Sequence, residues 1–165
     1  MLKYIKQLIK VLKQECEYYG KYYELAKEKQ KIILAGDVKS LDEITGREQD
    51  WIVAIGKIEN VRGIIIGNIL HGKNIDNVEN ITELAEYISE PYRTEILKMK
   101  DDLSDKVGKI QSINRLNGEL IQQTLDYIHF NINMLTGTEF DSGTYGNNVD
   151  GKSMKQKRNI FDAKI

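Results

Sequence analysis

The side chains best suited to chemistry in this sequence are two histidines, His71 and His129, and a single cysteine, Cys16. A carboxylate-bridged di-iron site in a helical bundle needs a Glu-x-x-His motif on each of two helices. The sequence offers one related pattern, Asp126-x-x-His129, and no second histidine at a spacing that would complete it. Cys16 has no neighbouring histidine–aspartate pair that would make it a nucleophile. We therefore expect no metal, no cofactor and no enzyme activity.

The tyrosines near the start of the chain raise a second possibility, since aromatic rings can stack on nucleic-acid bases. They are Tyr4, Tyr18, Tyr19, Tyr22 and Tyr23. The chain has 24 Lys+Arg against 25 Asp+Glu, so it lacks the basic excess that binding to phosphates requires. We therefore expect these tyrosines to pack in the core and at its rim, and we expect no nucleic-acid partner.

Two long helices follow from the spacing of apolar residues, and they position most of the side chains named above. From about Leu2 to Ala35 the apolar residues recur in steps of four and three, as they do along the seam of a coiled coil. Gly36-Asp37 then ends one helix and caps the next, which predicts an antiparallel pair. The second seam runs from Leu41 to Ile69. It includes Trp51, which we expect to be largely buried against the first helix. It also includes two polar residues, Glu48 and Arg62, which either pair with groups on other helices or reach solvent from the edge of the seam; we favour the second.

The rest of the chain predicts a loop, a short helix, a third long helix and a tail. The apolar period fails at 71–80, resumes over 81–88, and then runs from about Tyr92 to Leu135. Asn117-Gly118 is a turn signal inside this last segment, but the period continues in phase beyond it, so we expect an unbroken helix. The predicted fold class is all-α: an elongated antiparallel helical bundle of three long helices and one short one. Residues 1–136 form this domain, and residues 137–165 form a flexible C-terminal tail.

The length of the last helix suggests a binding surface. The first two helices are each about 50 Å long and the last about 65 Å, at 1.5 Å per residue. The last helix therefore extends about ten residues beyond its partners, while its apolar stripe continues through Ile128, Ile132 and Leu135. Exposed apolar stripes mark interaction sites. A short helix, a second copy of the chain or a partner protein could cover this one.

A series of short motifs, in order along the chain, carries a family resemblance. The motifs are Glu28-Lys29-Gln30, Ala35-Gly36-Asp37, Leu41-Asp42-Glu43-Ile44, Arg47-Glu48-Gln49, Asn114-Arg115-Leu116-Asn117-Gly118-Glu119-Leu120-Ile121, Leu135-Thr136-Gly137, Thr144-Tyr145-Gly146 and Ile160-Phe161-Asp162. With this order and spacing the sequence resembles the FlgN family of flagellar type III export chaperones.

The resemblance implies a function that the composition does not. Proteins of this family bind the C-terminal helices of the hook–filament junction proteins FlgK and FlgL in the cytoplasm, prevent their premature assembly and deliver them to the export gate. It also implies that the substrate-binding region lies toward the C-terminus, and that Tyr145-Gly146 docks on the gate protein FlhA.

Helix-in-groove recognition needs apolar anchors at i, i+3, i+4 and i+7. Ile121, Leu125, Ile128, Ile132 and Leu135 provide such anchors, and we expect Phe161 to add a closing contact. The alternative is a homo-oligomeric coiled-coil structural protein without a client, in which the same stripe pairs with itself. No segment of the sequence predicts a signal peptide or a membrane span, so we expect a cytoplasmic protein.

Overall fold

The computed structural model of this chain describes residues 1–136, and these residues form four α-helices. They are α1 (Leu2–Ala35), α2 (Val38–Lys73), α3 (Ile81–Glu86) and α4 (Tyr92–Thr136). No strand occurs among the described residues, which confirms the all-α prediction. The chain divides into two compact units, Met1–His129 and Phe130–Ile165. Residues 130–136, the last turns of α4, are the described part of the second unit.

The junction between α1 and α2 has the capping chemistry that the sequence predicts. Gly36 adopts a left-handed conformation with φ 66°, which glycine tolerates because it lacks a Cβ atom. Asp37 then caps α2, and its carboxylate accepts hydrogen bonds from the backbone N–H of Ser40 at 3.0 Å and from its hydroxyl at 2.6 Å. Ion pairs join Glu28 to Arg47 near this junction and Glu15 to Arg62 far from it. The two helices are therefore antiparallel, as predicted.

Helix α4 runs parallel to α1 within the first unit. The Lys13 ammonium pairs with the Glu95 carboxylate at 2.7 Å near the start of α4. Further along, the Asn117 side-chain amide donates to the Ala26 carbonyl at 2.9 Å. Because the residue numbers on both helices rise together, α4 has the direction of α1 and the opposite direction to α2.

The apolar core is concentrated in one part of the first unit. Its main cluster joins the first half of α1, the second half of α2, α3 and the start of α4, and comprises Ile5, Leu8, Ile9, Val11, Leu12, Ile58, Ile65, Ile69, Leu84, Ile88 and Ile96. A second, smaller cluster is built on Tyr22, Ile55 and Ile110. Toward the α1–α2 junction, Leu25, Ile33 and Ile44 are also buried, and polar contacts accompany them. The Tyr22 hydroxyl lies 3.0 Å from a Glu48 carboxylate oxygen, and Lys29 pairs with the same carboxylate.

The structure differs from the sequence prediction in the ends of α2 and α3 and in the burial of Trp51. Helix α2 continues to Lys73 through the residues that were predicted to begin a loop, and α3 ends at Glu86, two residues early. Trp51 contacts α1, with its ring edge-on to Tyr18 at 5.4 Å between centroids, but it is half-buried and not largely buried. Helix α4 is unbroken at Asn117-Gly118, as predicted, because Asn117 is buried and holds α4 against α1.

Candidate functional site

The predicted apolar stripe begins in the first unit at Ile121 and runs past the end of α1. Since Asn117 lies level with Ala26, the end of α1 at Ala35 lies level with about residue 126 of α4. Ile121, before this point, is half-buried. Leu125 and Ile128 remain 44% and 45% exposed. The burial of the stripe therefore decreases where its neighbouring helix ends.

The described part of the second unit carries the other two helical residues of the predicted stripe. Ile132 and Leu135 are both exposed, and Leu135 is 87% exposed. Burial of an apolar side chain is favourable by about 25 cal/mol per Å² of apolar surface removed from water. An exposed apolar side chain has not gained this free energy. These two side chains therefore retain the capacity to bind an apolar surface.

The sequence analysis missed a further set of exposed apolar residues in α4. Leu116 and Tyr127 belong to the first unit, and Phe130 and Met134 to the second; all are at least 43% exposed. At 100° per residue, Tyr127 lies on the same side of the helix as Leu116 but about 100° from Ile128. The spacing of Leu116, Leu120 and Tyr127 indicates this second face. The sequence analysis missed it because that analysis considered only one seam of the helix.

Charged and amide side chains occupy the remaining side of α4. The Arg115 guanidinium pairs with the Glu119 carboxylate at 3.1 Å, and the Gln122 amide donates to Asp126 at 2.9 Å. Both pairs have the i,i+4 spacing that is typical of a solvated helix face. His129 is exposed, and no group of three metal-ligating side chains comes together anywhere in residues 1–136.

A buried ion pair lies in the core between α1 and α2. The Glu15 side chain is fully buried, and one of its oxygens accepts a hydrogen bond from Arg62 at 2.7 Å. Beside it, the Tyr19 hydroxyl donates to the Glu59 carboxylate at 2.6 Å. Burial raises the pKa of Glu15 above its ordinary value, while the Arg62 charge opposes that rise. Arg62 and Glu48 therefore both pair with groups on α1, which is the alternative that the sequence analysis did not favour, while the Arg62 side chain remains 26% exposed.

Cys16 is half-buried, and its thiol lies 3.7 Å from the Met99 carbonyl oxygen of α4. Burial raises the pKa of this thiol, which keeps it protonated and unreactive at neutral pH. This environment agrees with the interpretation of Cys16 as a small core residue.

Three predicted site residues, Tyr145, Gly146 and Phe161, lie outside the described residues. The same holds for the whole predicted tail, 137–165, so the domain boundary at residue 136 stays a prediction.

Comparison with known proteins gives two matches. The family model described as "FlgN protein" matches residues 1–150 of this chain. A Bacillus subtilis (strain 168) protein, named as uncharacterized protein YvyG, is 27% identical over 160 residues, which cover 96% of this chain and 98% of that protein. No solved structure matches. Among the described residues, no helix is both long enough and apolar enough to cross a membrane.

Proposed function

Because this chain belongs to the FlgN family of flagellar export chaperones, we propose that its clients are the hook–filament junction proteins FlgK and FlgL. It binds their C-terminal amphipathic helices in the cytoplasm, prevents premature assembly and delivers them to the type III export gate. The FlgN family is a chaperone family and not an enzyme family.

The observation that carries the proposal is the exposure of the apolar residues at the end of α4. Leu125 and Ile128 in the first unit, and Ile132 and Leu135 in the second, are all more than two-fifths exposed. A client helix that packs on either pair removes its apolar surface from water, which drives association. Ile121, which is half-buried, contributes an anchor at the inner end of the surface.

The chemistry of the client follows from the spacing of these anchors. Steps of four and three residues present one side of a helix, and a second helix fits against that side when its own apolar residues follow the same period. A segment that pairs by such a period in a finished filament exposes its apolar side before assembly. The chaperone surface covers that side until export.

Two roles fall to residues of the tail. Phe161 adds a closing contact over the bound client, and Tyr145-Gly146 docks on the gate protein FlhA. Because the sequence predicts a flexible tail, ordering a tail segment on binding would cost conformational entropy, which would keep the affinity moderate and allow release. On this proposal Tyr145→Ala leaves client affinity unchanged and reduces export.

Calorimetric titration with a peptide from the client's C-terminus tests the surface. Replacing Ile128 and Ile132 by Asp places two unpaired charges on a face that must be desolvated, at a cost of several kcal/mol. Because about 1.4 kcal/mol is a factor of ten in affinity, we expect binding to weaken at least about a hundredfold. Ile128→Asp alone is compared with Gln123→Asp as its matched control, which adds the same charge at an exposed position about 140° around the helix from Ile128.

The outcomes separate the surface from the function. Full-strength binding by the double Asp variant, with its thermal unfolding unchanged, would mean that the client binds elsewhere on this protein. Failure of the unsubstituted protein to bind peptides from either FlgK or FlgL would refute the assignment of these clients.

A further inference from the structure

Helix α2 carries a second seam on the side opposite its core residues. Val53, Gly56, Asn60, Ile64 and Gly67 follow one another in steps of three and four. At 100° per residue they span about 80° of the helix surface, and their centre lies about 180° from that of the buried residues of α2. Ile64 is 67% exposed and Val53 is 46% exposed. We call these five residues the outer seam of α2; all of them belong to the first unit.

The absence of charge on the outer seam distinguishes it from the solvent side of α1. That side of α1 is lined by exposed charged residues, namely Lys3, Lys6, Lys10, Lys13, Glu17, Lys21, Glu24, Glu28 and Lys31. Charged side chains are the usual covering of a solvated helix, and they are depleted at the centres of protein interfaces. The outer seam has the composition of an interface centre instead.

The glycines of the outer seam have no explanation within the described chain. A Cβ atom added at Gly56 or at Gly67 would meet no atom within 4 Å. A glycine inside a helix makes that helix less stable than an alanine would, because the glycine backbone has more conformational freedom in the unfolded chain. Neither glycine makes room for a neighbour in the described structure, so the room they leave is available to another molecule.

We propose that the outer seam of α2 binds a second copy of this chain, with the two α2 helices antiparallel about a two-fold axis at Asn60. Ile64 follows Asn60 by four residues and Gly56 precedes it by four. Gly67 follows it by seven residues and Val53 precedes it by seven. In this arrangement each large side chain lies against a glycine of the other copy, and each such contact occurs twice.

The symmetry of the sequence is the reason for choosing a second copy as the partner. An isologous interface requires one surface to complement itself, and the outer seam does so only in the antiparallel register. In a parallel pair Ile64 would meet Ile64 and Gly56 would meet Gly56, which leaves gaps beside crowded contacts. At the axis, the two Asn60 amides can donate to and accept from each other.

The size of the contact fixes its strength. One helix from each copy gives an interface at or below the small class, under about 1,200 Å² in total. The dimer is therefore reversible and depends on concentration. It does not use the apolar residues of α4, so it is independent of the proposed client surface.

Sedimentation equilibrium over a concentration series tests the pairing through an exchange of side chains. Gly56→Ile puts two large residues against each other, and Ile64→Gly puts two glycines against each other. Each single variant should raise the self-dissociation constant at least about tenfold. The double variant, Gly56→Ile with Ile64→Gly, restores a large residue opposite a glycine and should recover the original constant.

Gly108→Ile in α4 is the matched control, since a Cβ there also meets nothing within 4 Å. It should leave self-association unchanged. Circular dichroism and thermal unfolding show whether each variant is folded. A protein that is monomeric at every concentration overturns the proposal. So does a folded double variant that associates no better than the singles.

Disulfide crosslinking tests the position of the axis. In a Cys16→Ser background, Asn60→Cys places two thiols together at the two-fold axis and should crosslink under mild oxidation. Gln49→Cys, equally exposed on the same side of α2, places its two thiols about 33 Å apart in this register and should not. Equal crosslinking at both positions would refute the antiparallel register.

Discussion

Removing Arg62 should destabilise the helical core more than removing any of the exposed ion-pair partners. Glu15 is fully buried, and its carboxylate accepts a hydrogen bond from the Arg62 guanidinium at 2.7 Å. Arg62→Met keeps an unbranched apolar stem but leaves the Glu15 carboxylate buried without a counter-charge. Breaking a buried ion pair in this way typically costs about 3–5 kcal/mol. Since the Arg62 side chain is 26% exposed, water reaches the pair, and we expect a value near the lower end, about 3 kcal/mol.

The loss of stability caused by Arg62→Met should depend on pH, and the direction of this dependence follows from the pKa of Glu15. Burial raises the pKa of the Glu15 carboxyl above 4.5, while the charge and hydrogen bond of Arg62 oppose this rise. The folded protein therefore binds this proton more tightly than the unfolded chain does. Protonation of Glu15 thus contributes to the free energy of unfolding at low pH, and this contribution is lost as pH rises through the raised pKa. Arg62→Met removes both opposing interactions, so the pKa rises further. The destabilisation should be greatest at neutral pH and smallest below pH 4.5, where Glu15 is protonated in both states.

Urea unfolding followed by circular dichroism, at several pH values from 4 to 8, measures this effect. Arg47→Met is the matched control, because the Arg47–Glu28 pair is about half exposed and should contribute at most about 1 kcal/mol. A second variant, Glu15→Leu with Arg62→Met, replaces the pair by apolar groups and should recover most of the loss. The reasoning fails if Arg62→Met costs no more than Arg47→Met, or if its cost is the same at pH 4 and pH 7.

Further predictions concern single residues and the tail. Trp51→Ala should lower the free energy of unfolding by about 2 kcal/mol, less than the roughly 3–5 kcal/mol of a fully buried aromatic residue, because Trp51 is half-buried; a loss within that higher range in urea unfolding would mean that it is buried in solution. Gly36→Ala should cost about 1 kcal/mol in the same assay, because φ there is 66°; an unchanged stability would contradict this. Asn117→Ala should cost about 1–2 kcal/mol by removing the hydrogen bond to the Ala26 carbonyl, and an unchanged stability would mean that water binds this carbonyl oxygen equally well. Truncation after Thr136 should leave the melting temperature unchanged, and a clear decrease would show that residues 137–165 stabilise the helical domain.

Most of the helical elements could be predicted from local signals in the sequence. The left-handed conformation of Gly36 and the cap formed by Asp37 depend on the two residues themselves, so the junction was predictable to the residue. The end of α2 was not, because glycine and histidine at 71–73 weaken a helix without ending it, and Asn74 caps it instead. The candidate client surface was predicted in one respect only. The apolar stripe was found by following one seam, whereas the second face through Leu116 and Tyr127 follows the same helical period on another side of α4.

The sequence by itself determined that the chain is helical, where most of its helices begin and end, and which family it belongs to. Those properties depend on residue types at short spacing and on motifs in a fixed order. Only the tertiary structure decided the fate of the polar residues on the seams. A helical period places Arg62 on the inner side of α2, but Glu15 is on another helix, 47 residues away in the chain. Arg62 is paired and the Trp51 ring is half-exposed, although both point inward from α2. Each outcome depends on which residue of a neighbouring helix lies opposite. No spacing along one helix contains that information.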